Sequence, residues 1–155
     1  MTPYYENEHG QLYCGDALQV LRELPDQSVN CCVTSSPYWG LRDYGVDGQL
    51  GLEETPELYI SKMVEVFREV RRVLRDDGTL WLNLGDSHAA GGKGGGGSFM
   101  EERRDAAWKS RSSTNGWRPA PDGLKPKDLI GIPWRVAFAL QADGWYLRQD
   151  IIWAK

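Results

Sequence analysis

Thr34-Ser35-Ser36-Pro37-Tyr38-Trp39-Gly40 sets hydroxyls, a proline and two aromatic rings directly after an apolar stretch. In an open α/β sheet the ligand crevice lies at that place, outside the carboxyl end of a strand. A flat polar substrate can stack on Tyr38 while its amine donates to Ser35 and to backbone carbonyls. The same residue types suit a plain strand end running into a turn, and taken alone they favour neither reading. Asp43 and Tyr44 follow in the next loop, as pocket lining or as solvated residues. Asn83 and Asp86 end a later strand and face the same crevice if the sheet is wound as expected.

Other candidates are weaker. Cys14, Cys31 and Cys32 have no metal-site spacing, and adjacent Cys31 and Cys32 point to opposite faces of a strand. They are expected reduced and packed. His9 and His88 are isolated and read as surface residues, so no metal is expected. The run Gly-Gly-Lys-Gly-Gly-Gly-Gly-Ser has glycines but no following Gly-Lys-Ser/Thr and no apolar helix behind it, which rejects a phosphate loop.

The elements that must position these residues follow from pattern. Gln11–Cys14 reads as a strand, and Ala17–Leu24 as a helix closed by Pro25. Val29–Thr34 is a buried strand, which makes a parallel crossover unit with the first two elements. Thr55 is an N-cap with Pro56 at the first helical position. Leu58, Ile60, Met63, Val64, Phe67, Val70, Val73 and Leu74 recur at helical spacing up to a turn at Asp77-Gly78. Leu80–Leu84 is a further strand. After a glycine-rich insertion at about 86–126, a helix broken or started near Pro133 leads to a last strand, Trp145–Ala154. The order predicts an α/β protein with a partial doubly wound sheet and a flexible insertion.

Composition adds bounds. The 155 residues carry 18 Lys and Arg against 22 Asp and Glu, a net charge of −4, so bulk charge does not advertise nucleic-acid binding. Arg103, Arg104, Lys109, Arg111, Arg118, Lys125 and Lys127 nevertheless share one polar stretch that can meet phosphates, although such a run is more often a solvated loop. No apolar run is long enough to span a bilayer, and the start lacks a secretory pattern. A cytoplasmic protein with no membrane partner is expected.

Ser35-Ser36-Pro37-Tyr38 resembles the catalytic tetrapeptide (Asp/Asn/Ser)-Pro-Pro-(Tyr/Phe/Trp) of the DNA amino-methyltransferases, which modify cytosine N4 or adenine N6. The likeness extends to WGLRDYG at 39–45, GTLWLNLGD at 78–86, GIPWRVAF at 131–138 and WYLRQDIIW at 145–153. It implies a Rossmann-like methyltransferase sheet, S-adenosyl-L-methionine as cofactor and double-stranded DNA as partner, in a restriction–modification setting. The target base is flipped out of the stack and Tyr38 stacks on it. Ser35 and the carbonyl of residue 36 accept its amine hydrogens, and no covalent enzyme intermediate is needed. The resemblance implies catalytic roles for Ser35, Ser36, Pro37 and Tyr38. It places Asp16 and Ser35 at the cofactor, though Asp16 also suits a helix N-cap; Trp39, Asp43 and Tyr44 are expected at the base, with Asp43 and Tyr44 equally suited to a solvated loop.

A serine in the first position is typical of cytosine-N4 enzymes. Ser36 departs from the family proline and lacks its fixed φ, which puts preorganisation in doubt. In this motif order a Phe-x-Gly-x-Gly cofactor segment and a target-recognition region follow the catalytic motif, and neither matches within 1–155. The chain is therefore expected to be the N-terminal catalytic portion, completed by a C-terminal half or a second polypeptide. The competing expectations are a non-catalytic remnant, an adenine-N6 enzyme, and an enzyme acting on RNA or a protein amide.

Overall fold

Helices begin where short polar side chains can cap them. Asp16 Oδ1 accepts the Gln19 amide at 3.0 Å and opens α1 (Ala17–Glu23). Thr55 Oγ1 accepts the Leu58 amide at 3.2 Å and opens α2 (Pro56–Val73), with Pro56 in its first turn. Each oxygen satisfies an amide that the helix ladder leaves without a partner. A third helix, α3 (Ile132–Ala142), likewise starts with a proline, Pro133, in its first turn. These starts match expectation. The computed structural model describes residues 2–89 and 123–154; the glycine run and Arg103, Arg104, Lys109, Arg111 and Arg118 lie outside the described residues.

The strands depart more from expectation. β1 (Tyr5–Asn7) and β2 (Gly10–Leu12) pair antiparallel, and Asn7 Oδ1 closes the turn by accepting the amides of His9 and Gly10. The strand expected at Gln11–Cys14 is thus half of a hairpin, not the first strand of the parallel sheet. Pairing across a tight turn closes a far shorter loop than a crossover does. β3 (Val29–Ser35) and β4 (Leu74–Asn83) pair parallel, with α2 as their crossover, as expected. Val29 faces Leu74 and Cys31 already faces Thr79, so residues 75–78 bulge out of register. Asp77-Gly78, expected as the turn after α2, therefore falls inside β4.

Trp145–Ala154, expected as the last strand, is irregular. A strand needs a hydrogen-bonded neighbour, and among the described residues this segment has no ladder partner. The described sheet therefore holds one parallel crossover rather than the three expected.

Met1–Gly85 with Ile132–Lys155 forms one compact unit. Its core is one stripe of α2, Tyr59, Met63, Phe67, Val70 and Val73, with Ile132, Val136 and Leu140 of α3. Met63, Phe67, Val70 and Val73 are buried as expected, but the stripe starts one residue later than expected: Leu58 is 50% exposed, whereas Tyr59 is fully buried. Polar contacts line the α2–α3 seam. Arg135 Nη1 donates to Glu57 at 2.8 Å, Arg68 Nε to Asp143 Oδ1 at 2.7 Å, and Arg71 Nη1 to the Asp143 carbonyl at 3.0 Å. Arg72 ties α2 to α1 by donating to the carbonyls of Leu21 at 2.7 Å and Leu24 at 3.0 Å. Both carbonyls lie at the end of α1, where Leu21 O also accepts the Leu24 amide at 3.1 Å, so Arg72 adds a second donor there.

One face of the sheet stays open. The register partners Val33 and Trp81 are 78% and 53% exposed, although parallel sheets are ordinarily covered on both faces. Cys14 and Cys31 are also exposed, against the expectation of packed thiols; Cys32 is half-buried, and burial followed by Cys31 pushes its thiol up.

Asp86–Gly131 forms the second unit. Ala89 donates to the Asp128 carbonyl at 2.7 Å, Lys127 to Ala89 at 2.8 Å and Ile130 to Ser87 at 2.9 Å. Asp86 accepts the Gly131 amide at 3.0 Å on each carboxylate oxygen. Asp86, expected to end a strand and face the crevice, instead closes the neck of the insertion. Its acceptor oxygens satisfy a backbone amide at a left-handed glycine, φ +79°.

Candidate active site

Ser35 and Asn83 are register partners at the carboxyl ends of β3 and β4. Parallel pairing brings both strand ends to one edge, and residues 36–40 and 84–85 leave from it together. The segment after Ser35 is fixed by bonds from distant residues. Tyr59 Oη, on the buried stripe of α2, donates to the Pro37 carbonyl at 2.9 Å. The Leu41 amide donates to the Tyr38 carbonyl at 3.3 Å, and the Gly40 amide to Gly51 at 2.7 Å. Trp39 Nε1 donates to the Glu53 carbonyl at 3.0 Å. None of these bonds uses the Ser36 carbonyl. Tyr38 is half-buried, its ring alongside Gly85.

Glu53 anchors the other strand of this loop. Its side chain is 2% exposed; Oε2 accepts the Gly51 amide at 2.8 Å, and Lys62 Nζ lies 3.1 Å from Oε1. Lys62–Oε1 is an ion-pair contact rather than an aligned hydrogen bond. Burial first, then Glu53 and Tyr38, pushes the Tyr59 phenol from 10.0 up to about 12, because the phenolate is disfavoured away from water and beside negative charge.

Tyr59→Phe is expected to cost roughly 1–2 kcal/mol at neutral pH, since the Pro37 carbonyl loses its donor in a part-buried site. Alkaline behaviour gives a second check. Below pH 10 the group is protonated in both folded and unfolded chains. Between 10.0 and about 12 the unfolded chain gives up the proton first, so stability falls as pH rises. Denaturant titrations across that window should show this slope in the native chain and lose its Tyr59 part in the phenylalanine variant.

The other expected site residues fall as follows. Asp16 spends one oxygen on the α1 cap and is exposed. Trp39 is turned to the Glu53 backbone. Asp43 Oδ1 accepts the Gly45 amide at 2.8 Å, and the Tyr44 amide donates to Gln49 Oε1 at 2.6 Å. Tyr44 is 57% exposed. Ser35, Ser36, Pro37, Tyr38 and Trp39 are thus gathered by sequence and by the strand end. Sequence reasoning missed Tyr59, Glu53 and Gly51. Tyr59 had a signal: it stands four residues before Met63 on the helical stripe.

The sequence model of the DNA methylase family matches residues 29–155. The Type II methyltransferase M.Cfr9I of Citrobacter freundii is 55% identical over 145 residues, 93% of this chain and 46% of the relative. M.SmaI of Serratia marcescens, also a Type II methyltransferase, is 53% identical over 94% of this chain and 47% of its own length. The chain thus spans about half the length of the curated relatives it matches. The solved structure of the PvuII DNA methyltransferase (cytosine-N4-specific) matches with a TM-score of 0.52 and 18% identity, over 91% of this chain and 36% of that one. At that identity the likeness is one of fold, and it is an α/β fold. A family match that begins in β3 and runs through residue 155 takes in the whole strand-end segment, and the chain belongs to the DNA methylase family.

Proposed function

We propose that this chain carries the catalytic portion of a DNA methyltransferase of a restriction–modification system, acting on the exocyclic amine of a flipped base, cytosine N4. The observation that carries the reading is the anchoring of residues 37–41. Tyr59 and the Leu41 amide occupy the carbonyls of Pro37 and Tyr38, while the Ser36 carbonyl and Ser35 Oγ stand beside the strand end as acceptors. An amine whose hydrogens go to two fixed acceptors has its lone pair aimed in the remaining direction. Positioning and electrostatics then supply most of the rate. Tyr38 holds the base plane, and Ser35 in the first position favours cytosine N4. The rigidity that the family proline would give at Ser36 comes here from Tyr59, Gly51 and Glu53.

S-adenosylmethionine, when bound, supplies the electrophilic methyl group. Asp16 and Ser35 fit one part of it. The exposed Asp16 carboxylate keeps acceptor capacity beyond its cap bond and can take an exocyclic amine, and Ser35 can donate or accept. These two residues offer no seat for the methionine end. We assign that end, with target recognition, to the further chain that the relatives possess, and the open Val33–Trp81 face is where such chain would pack.

The test is nucleoside mass spectrometry on DNA from a methylation-free host. The host expresses the chain extended beyond residue 155 with the remainder of the Citrobacter freundii relative. N4-methylcytosine is expected, with little or none from the 155 residues alone. N6-methyladenine would overturn the choice of base, and no modified base from the extended chain would overturn the reading.

A further inference from the structure

Gly85 follows β4 and meets the Tyr38 ring. A β-carbon placed on Gly85 would lie 2.6 Å from Tyr38 Cε2, 2.7 Å from Cδ2 and 3.3 Å from Cζ. Real β-carbons do not approach so closely, so any side chain there must displace the ring. The backbone gives no other reason for glycine. Gly85 is absent from the left-handed residues, unlike Gly40, Gly45 and Gly48, which have positive φ with open space around them. The three nearest atoms it would meet all belong to one ring.

We propose that Gly85 is the seat of the Tyr38 ring and thereby a positioning residue for methyl transfer. This inference rests on the reading of Tyr38 as the base-stacking residue. With Pro37 tied to Tyr59 and the Tyr38 carbonyl held by Leu41, the remaining freedom of Tyr38 is rotation of its side chain. Gly85 limits that rotation from one side. The half-buried ring keeps surface for a planar group to meet. An alanine methyl would push the ring into the space where the base has to stack. The obstructed atoms are the outer part of a side chain that can swing, so folding is kept while the ring is misplaced. Misplacement of about 1 Å is enough to cost on the order of 100-fold in rate.

Two measurements test this on the extended chain used above. In the native protein the Gly85 α-protons are expected to carry a ring-current shift that disappears in Tyr38→Ala; an unshifted signal would overturn the seat itself. Gly85→Ala is expected to keep its denaturant midpoint and its affinity for S-adenosylmethionine, and to lose on the order of 100-fold in kcat. Native-level kcat in Gly85→Ala would overturn the positioning role, and a collapse of the midpoint would show a structural glycine instead. A seat shown by the proton shift in a native chain that methylates nothing would overturn the methyl-transfer reading, and the role with it.

Discussion

Tyr38→Ala is expected to cut kcat/KM for DNA methylation by roughly 100-fold or more while leaving S-adenosylmethionine affinity little changed. Loss of an aromatic platform under a base removes about 1–3 kcal/mol of stacking, and in the proposed arrangement the base would also lose its register against Ser35 and the Ser36 carbonyl. The protein should remain folded. The bonds that hold this segment are made by backbone carbonyls at 37 and 38, by Trp39 Nε1 and by the Gly40 amide, not by the Tyr38 ring. Tyr38→Phe keeps the ring and is expected to retain most of the activity. Steady-state methylation of DNA and calorimetric titration of the cofactor, run on the same preparations, check this. Equal loss of cofactor binding and methylation in the alanine variant would assign Tyr38 to the scaffold.

The contrast between Tyr38 and its supports shows what the sequence could carry. Caps are local chemistry, so Asp16, Thr55 and Pro133 mark helix starts in one dimension as well as in three. The Ser35–Tyr38 segment was legible through its resemblance to a tetrapeptide and its place after an apolar run. Its supports were not, because they act across the chain: Tyr59 lies 22 positions from the carbonyl it holds, and Trp39 lies 14 from Glu53. Periodicity found α2 and most of its buried face, Met63, Phe67, Val70 and Val73, but counted Leu58 and passed over Tyr59, since a tyrosine reads as amphipathic until its hydroxyl has a partner. The β3–β4 pairing was as expected, but two other expected strands found no place in the parallel sheet. Gln11–Cys14 and Trp145–Ala154 are both apolar enough for strands, yet pairing depends on neighbours that pattern does not name: a local hairpin claimed one and no described strand took the other.

Gly51→Ala is expected to be the most damaging change among the supports. Its φ of +97° lies where a β-carbon is strained, and that alone costs roughly 1–3 kcal/mol. A β-carbon would also sit 2.9 Å from the Tyr38 carbonyl oxygen and 3.4 Å from Pro37 Cβ. Here the obstruction is backbone, so relief requires the whole 37–41 segment to move. The Gly51 amide is held by buried Glu53 and its carbonyl accepts Gly40, which leaves Gly51 little room to retreat. Gly48→Ala supplies the control, because Gly48 has φ +76° and nothing within 4 Å of a β-carbon. Gly48→Ala should show the strain alone. Gly51→Ala should add a further loss in denaturant midpoint and a fall in methylation comparable to that of Tyr38→Ala. Equal behaviour of the two glycine variants would mean that Gly51 is only a turn residue, and that the 37–41 segment is held in place by Tyr59 and Trp39 without it.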